Sequence, residues 1–262
     1  MGTVVSWNVA GRVRSVPAQA AALAQRPADL VALQEVRASA FASWRAALEA
    51  LGFAHVAATL TAVAPRAPER RLGVLVAART PLEPLPPLPG VPWGERHLAV
   101  RVALDGDPVE LHVLHVPISQ KAGQAKVLTL EAVHAALAPP GATPTILVGD
   151  LNTPRYESRE GDVQTFARTR AGRLRADYGE RHDAAELALI VGLREHGYVD
   201  AFRAVHGYGR RDRSWLWGHG RGGYRLDHVI VRGLRPVACE YEHGWRDAGL
   251  SDHAAMWADL ER

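Results

Sequence analysis

Short apolar runs, each about the length of one strand and each closed by a turn, recur along the whole of this chain. They are TVVSWNV at 3–9, ADLVALQEV at 28–36, RLGVLVAAR at 71–79, HLAVRVAL at 97–104, PVELHVLHV at 108–116, TPTILVGD at 143–150, RLDHVIV at 225–231 and AAMWADL at 254–260. Helical patterns stand between them: VPAQAAALAQR after the first, 39–51 after the second, a long amphipathic stretch at 120–137, and 184–196. The opening strand, helix and strand predict a βαβ unit. HLAVRVAL and PVELHVLHV flank the turn formers DGD, which predicts a hairpin. Strands in this number, interleaved with amphipathic helices, bury their apolar faces as two packed sheets covered by helices, an α+β architecture in one domain over 1–262. The proline-rich PLEPLPPLPGVPWG at 81–94 reads as a surface connection inside that domain. The charged segment 155–182 shows no period that places it.

An apolar fraction of 47% is ample for such a core, and no run approaches the roughly 18 apolar residues of a membrane span. The start MGTVVSWNVAG is a strand leading into polar residues rather than a basic and then apolar signal segment, so the expected location is the cytoplasm, without membrane attachment. Cys239, the one cysteine, has no partner for an internal disulfide and reads as core within VACEYE. The net charge of +3 permits a nucleic-acid partner without requiring one. Only Lys121 and Lys126 are lysines, so arginine abundance partly reflects composition, and local clustering carries more information. Arginines 203, 210, 211, 213, 221 and 225 stand with a single acid, Asp212, in the most basic stretch of the chain, which suits a polyanion spanning several phosphates.

Polar groups gather where the apolar runs end. Asn8 follows VVSW, Glu35 follows LVALQ, His115 follows LHVL, Asp150 and Asn152 close LVGDLN, Asp227 follows YRL, and Asp252 and His253 precede AAMW. Asn8 and Asn152 are the chain's only asparagines. A carboxylate at a buried strand edge is costly unless it is paired or holds a metal. Any one of these groups could cap a turn, but their joint placement points to a site. Carboxylates and amide oxygens without thiolates favour a hard divalent cation, Mg²⁺ or Mn²⁺, over zinc. The residues lead to a metal-assisted hydrolytic site and do not name the bond.

SWNVAGR, LQEV, RLGVLVAAR, VGDLNTP, SWLW with GYRLDHVIV, and LSDHAAMW, in this order from residue 5 to 257, resemble the motif set of the endonuclease/exonuclease/phosphatase superfamily, in the style of exonuclease III, abasic endonucleases and DNase I. The resemblance implies a four-layer α/β/β/α sandwich with the site at one end of the sheets, and phosphoester hydrolysis by water with Mg²⁺ or Mn²⁺. By motif, Glu35 resembles the principal metal carboxylate with Asn8 beside it, and Asp252 a second metal carboxylate or a member of the hydrogen-bond network. Asp150 resembles the aspartate that orients or deprotonates water, Asn152 the amide that holds a phosphate oxygen, and His253 the histidine on the scissile phosphate, with Asp227 fixing its other ring nitrogen. His228, next in the strand, points to the other face and reads as structural.

Two departures bear on substrate. Where exonuclease III and abasic endonucleases carry a tyrosine followed by Pro-Asn, HVLHVPIS has His115 and then Ile118 in place of the asparagine. A histidine there is similar to DNase I, where it pairs with a glutamate, a part that Glu69 is placed to take. His112 falls on the opposite face and reads as packing or solvent-facing. In RRDRSWLW, which begins at Arg210, the tryptophans Trp215 and Trp217 could stack on a base or sugar while Arg210, Arg211, Arg213 and Arg221 hold phosphates, joined by Arg155 and Arg159 after the Asp150 turn. The leading reading is a metal-dependent nuclease acting on DNA as a monomer. The alternative is a phosphatase or phosphodiesterase for a small or inositol/lipid-linked phosphate, and the third is an inactive binding protein, opposed by the full set of side chains.

Overall fold

The computed structural model describes residues 1–61, 70–118, 123–217 and 222–262. Two six-stranded sheets form its centre. The first runs in the order β15 (Arg235–Glu242), β16 (Ala255–Glu261), β1 (Gly2–Asn8), β2 (Leu30–Arg37), β4 (Leu72–Ala78), β3 (His55–Ala58). The second runs β11 (Val199–Asp200), β14 (Asp227–Arg232), β8 (Thr145–Asp150), β7 (Asp107–His115), β6 (His97–Leu104), β5 (Glu83–Pro84). β1 and β2 pair in parallel with α1 (Val16–Ala24) between them, which is the βαβ unit expected from the opening residues. β6 and β7 form the expected hairpin around Asp105 and Gly106, both left-handed at φ 54° and 87°, as a two-residue turn matched to the strand twist requires.

Alternation along each strand decides which layer a side chain enters. Val4, Leu30, Ala32, Val74 and Val76 of the first sheet meet Val109, Leu111, Val113, Ile146, Val148, Val229 and Val231 of the second in one shared core. Their neighbours Val5, Trp7, Val31, Leu33 and Leu75 turn to the other face and pack against α1 and α2 (Phe41–Ala50), where Trp44 and Leu48 are fully buried. Leu114, Leu147 and Ile230 do the same on the second sheet against α3 (Ala125–Leu137) and α4 (Gly179–Ile190). The result is the four-layer α/β/β/α sandwich. Truncating Leu48 to alanine would cost about 2–5 kcal/mol, since its surroundings offer little room to collapse.

Boundaries depart from the expectations where periodicity is weak. The helix expected from about 120 begins at Ala125, and 119–122 lie outside the described residues. The helix expected at 184–196 starts earlier, at Gly179, ends at Ile190, and passes into a separate 3₁₀ turn at Gly192–His196. The unplaced stretch 155–182 holds a two-stranded ribbon of β9 (Tyr156–Glu157) and β10 (Val163–Gln164), and a second ribbon joins β12 (Trp215–Trp217) to β13 (Gly222–Tyr224). α5 (Ala201–His206) sends Phe202 into the shared core, capped by Asp200, whose carboxylate accepts the Arg203 N–H at 3.0 Å. Cys239 lies buried in the same core, and burial pushes its thiol pKa well up. Among the described residues no helix is long and apolar enough to cross a membrane.

Candidate active site

At one end of the sandwich the shared core turns polar. The stripe Val109, Leu111, Val113 ends on His115; Ile146 and Val148 lead to Asp150; Val231 and Val229 lead back to Asp227; Val4 and Ser6 lead to Asn8. In register, Asp150 stands opposite Asp227 on one side and His115 on the other, so the three form one row across the second sheet. Gly149 makes the spacing possible: a Cβ on it would lie 1.9 Å from the Leu114 carbonyl oxygen, and its φ of 134° is one that side chains resist.

Glu35 reaches the site by breaking the alternation. Leu33 faces Leu75 and Val36 faces Gly73, so β2 carries one residue more than β4 across that interval. This bulge holds Glu35 at φ 59°, a conformation costing about 1–3 kcal/mol for a residue with a side chain, and turns the carboxylate inward instead of toward the helices. Asn8 Nδ2 then bridges Glu35 Oε1 at 3.2 Å and Asp150 Oδ2 at 3.0 Å. Its Oδ1 accepts the Ala10 N–H at 2.9 Å, which fixes the amide orientation. Asn8, expected as an oxygen ligand, therefore serves here as a donor that holds two carboxylates together.

The turn after Asp150 is clamped on several sides. The Asn152 N–H donates to Asp150 Oδ1 at 3.0 Å, and Asn152 Nδ2 donates to the Val116 carbonyl at 2.8 Å while lying 3.4 Å from Asp150 Oδ2. Beneath it, Lys126 Nζ donates to the Asn152 carbonyl at 2.8 Å and to Glu186 Oε1 at 2.6 Å, and Thr153 Oγ1 donates to Glu186 Oε2 at 2.7 Å. His228 lies 2.9 Å from the Thr153 carbonyl and 3.1 Å from Asp200, the structural position expected of it. His112 is likewise structural, buried against His97 with ring nitrogens 3.2 Å apart.

His253 Nδ1 lies 2.7 Å from Asp227 Oδ2, and its Nε2 3.8 Å from Asp150 Oδ2. Burial opposes charge on His253, but Asp227 and then Asp150 outweigh it and push its pKa up to about 10. Asp150 moves the other way from an ordinary carboxylate: burial, joined by Asp227 and Glu35, raises it to about 7 against the pull of His253 and the Asn152 N–H. His115 is held neutral, its pKa well below the ordinary value, by burial and by Arg96, whose Nη1 lies 2.7 Å from Nδ1 and 3.0 Å from Nε2. Glu69, the expected partner of His115, lies outside the described residues. Arg96, Lys126 and Glu186 had no sequence signal beyond residue type, and Arg96 stands in a chain where arginine is common.

Two groups have ligand atoms within 4.8 Å of one another, Glu35 with His115 and Asp150, and Asp150 with Asp227 and His253. They differ in kind. His253 as an imidazolium gives both nitrogens as donors and has no lone pair for a metal. The first group joins Asp150 and the neutral His115 to Glu35, which at 24% exposure is the carboxylate open to a divalent cation. Glu35 and Asp150 face a cleft of about 560 Å³ walled by Ile118, Phe166, Tyr178, Trp215 and Tyr224. Asp252 lines this cleft too, but it is exposed, accepts from Trp215 Nε1 at 3.1 Å, and stands outside both groups.

The basic stretch divides. Arg203 and Arg225 are buried against Glu157, and Arg225 also against Asp200, while Arg210 spans Glu240 and Asp212. These three, expected to face phosphates, are structural. Arg211 and Arg213 are exposed, Arg155 lines the cleft, and Arg221 lies outside the described residues.

A model of the Endonuclease/Exonuclease/phosphatase family matches residues 5–253. No curated protein sequence matches the chain. Among solved structures, an AP endonuclease from Archaeoglobus fulgidus is similar over 100% of both chains at 21% identity, with a TM-score of 0.72. A humanized D. rerio TDP2 is similar at 16% identity over 99% of this chain and 98% of its own, with a TM-score of 0.71. The 3′ phosphatase NExo from Neisseria, bound to product DNA hairpin, is similar at 21% identity over 100% of both chains, with a TM-score of 0.66.

Proposed function

Because this chain belongs to the endonuclease/exonuclease/phosphatase family and carries the site of a metal-dependent phosphoesterase, we propose that it is a nuclease hydrolysing phosphodiester bonds of DNA with Mg²⁺ or Mn²⁺. The row Asp227, Asp150, His115, closed by Glu35 and His253, is the observation that carries this reading. Glu35 would hold the cation, which when bound would offset charge on a phosphate oxygen. Asp150, with a pKa lifted to about 7, accepts a proton from the attacking water near neutral pH. His253, charged at the same pH and steadied by Asp227, directs its Nε2–H at the phosphate as negative charge builds there. Asn152, fixed by Lys126 and Val116, orients a phosphate oxygen beside Asp150. Trp215 and Tyr224 give the cleft an aromatic wall on which a sugar or base can rest. The Neisseria structure with its product DNA hairpin supports DNA as the substrate.

A phosphatase acting on a small or inositol/lipid-linked phosphate is the second reading, favoured by the internal pairing of Arg203, Arg210 and Arg225. Hydrolysis of plasmid DNA, an abasic duplex, single-stranded DNA, RNA, a phosphomonoester and an inositol phosphate, each with Mg²⁺, with Mn²⁺ and with EDTA, separates the two. The nuclease reading expects cleavage of DNA that stops on chelation. Turnover of the monoesters alone would replace it with the phosphatase, and full activity in EDTA would remove the metal from both.

A further inference from the structure

Arg211 and Arg213 converge with Arg155 on a recess of about 140 Å³ that adjoins the cleft, Arg155 and Tyr224 lining both spaces. The volume is several times the ~30 Å³ share of one water, so a phosphate group has room. The two acids of the recess are already engaged. Glu157 accepts from Arg203 at 2.6 Å and from Arg225 at 2.8 Å, and Asp212 accepts from Arg210 at 2.8 Å. The lining therefore presents an excess of positive charge that no carboxylate among the described residues takes up.

Two of the arginines are also positioned in advance. Arg211 Nη2 donates to the Tyr156 hydroxyl at 2.7 Å with its guanidinium 5.0 Å above that ring, and Arg155 Nη1 donates to the Arg168 carbonyl at 2.6 Å. Each tether uses one of the guanidinium's five N–H groups and leaves others for an anion, while reducing the side-chain entropy lost on binding. Tyr224 stands between recess and cleft, held edge-on to Phe166 with ring centres 4.9 Å apart and near Trp217 at 4.6 Å. A chain of alternating phosphate and sugar can thus place one phosphate at Asp150 and the next beyond the tyrosine.

We propose that this recess is a second phosphate subsite, holding the backbone phosphate adjacent to the scissile one, so that substrates with two or more phosphates are preferred over those with one. The inference rests on the phosphodiesterase reading above. Its test compares kcat/KM, with Mn²⁺ present, for a 5′-phosphorylated dinucleotide and for bis(p-nitrophenyl) phosphate, in the wild type and in Arg211→Ala and Arg213→Ala. The preference for the dinucleotide should fall roughly tenfold or more in each variant, as for loss of a charged hydrogen bond; an unchanged preference overturns the subsite. Inositol bisphosphate as competitor identifies the source: protection by it at the dinucleotide's own concentration would assign the recess to small bisphosphates and overturn the backbone assignment. If the wild type hydrolyses neither substrate, the phosphodiesterase reading fails, and calorimetric binding of the dinucleotide in EDTA still decides the recess. Affinity weakened in Arg211→Ala and Arg213→Ala supports it, and equal affinity rejects it.

Discussion

The side chains of Glu157 and Asp200, 6% and 8% exposed, are nearly as withdrawn from water as those of Asp150 and Asp227, at 2% and 1%, yet the two pairs sit in different surroundings. Each acid of the first pair has an arginine at hydrogen-bond distance, and Arg225 serves both. Burial pushes the Glu157 carboxyl upward, but Arg225 and Arg203 prevail and bring it down to about 2. Asp150 instead faces Asp227 across the sheet and Glu35 through Asn8, with no arginine as a direct partner among the described residues, and burial carries it up to about 7. The same desolvation is resolved by arginine pairing in one place, whereas in the other the His253 imidazolium, 2.7 Å from Asp227 and 3.8 Å from Asp150, stands against both acids. A fold that can pair buried acids with arginines, and does so a few residues away, leaves them short of positive charge where a cation and a substrate are to complete the set.

Asp150→Asn tests the side without arginine partners and carries the largest expected effect. It should lower kcat by about 10² to 10⁴. In EDTA the same variant should melt no lower than the wild type, because it removes a carboxyl that burial disfavours. A melting temperature several degrees lower would mean that Asp150 supports the fold and that the contrast is false.

Arg225→Met attacks the arginine-paired side. It leaves Glu157 and Asp200 buried without their shared partner and should cost about 3–5 kcal/mol in urea denaturation. A cost below about 1 kcal/mol, the size of a surface pair, would show that the network is not desolvated as its burial indicates.

Acid should weaken the compensated groups in a defined window. Glu157 and Glu186 are both depressed to about 2 from an ordinary 4.5, so their contribution is complete above 4.5 and lost as pH falls toward 2. His97 and His112, lowered by burial to about 3 and about 4 from 6.5, act in the same direction, since the unfolded chain takes up their protons first. Asp150, raised to about 7 from 3.8, acts the other way over that interval and partly offsets the histidines, so urea midpoints should fall most clearly below 4.5; a flat profile down to pH 3 would contradict these assignments. The smallest effect belongs to the exposed Arg45–Glu49 pair on α2, 2.8 Å apart, where Arg45→Ala should change stability by less than about 0.5 kcal/mol.

Much of this could be read from the chain because period-two alternation and polar strand ends are local properties. Asn8, His115, Asp150 and Asp227 were legible as ends of apolar stripes, and Asp227 and His253 meet at 2.7 Å as the motifs implied. Arg96 was not legible, since its approach to His115 depends on β6 pairing with β7, and no periodicity marks a single arginine after a proline-rich turn. The roles of Arg203, Arg210 and Arg225 were misread for a related reason. Their acids, Glu157, Asp200 and Glu240, lie outside the basic run in sequence and are brought in only by β9, β11 and β15. Asp252 fell between: its position beside the cleft was foreseen, but not its bond to Trp215.

The bulge in β2 has a consequence for how such a site can arise and be lost. Without Glu35, Leu33 and the residue now numbered Val36 would still face the helices, with Gln34 between them facing the other sheet. The strand would be regular and free of its one left-handed residue. Glu35 thus occupies the extra position of the bulge, and without it β2 and β4 would pair residue for residue. Deletion of that single residue separates chemistry from architecture, whereas deletion of any core neighbour would shift the register of both.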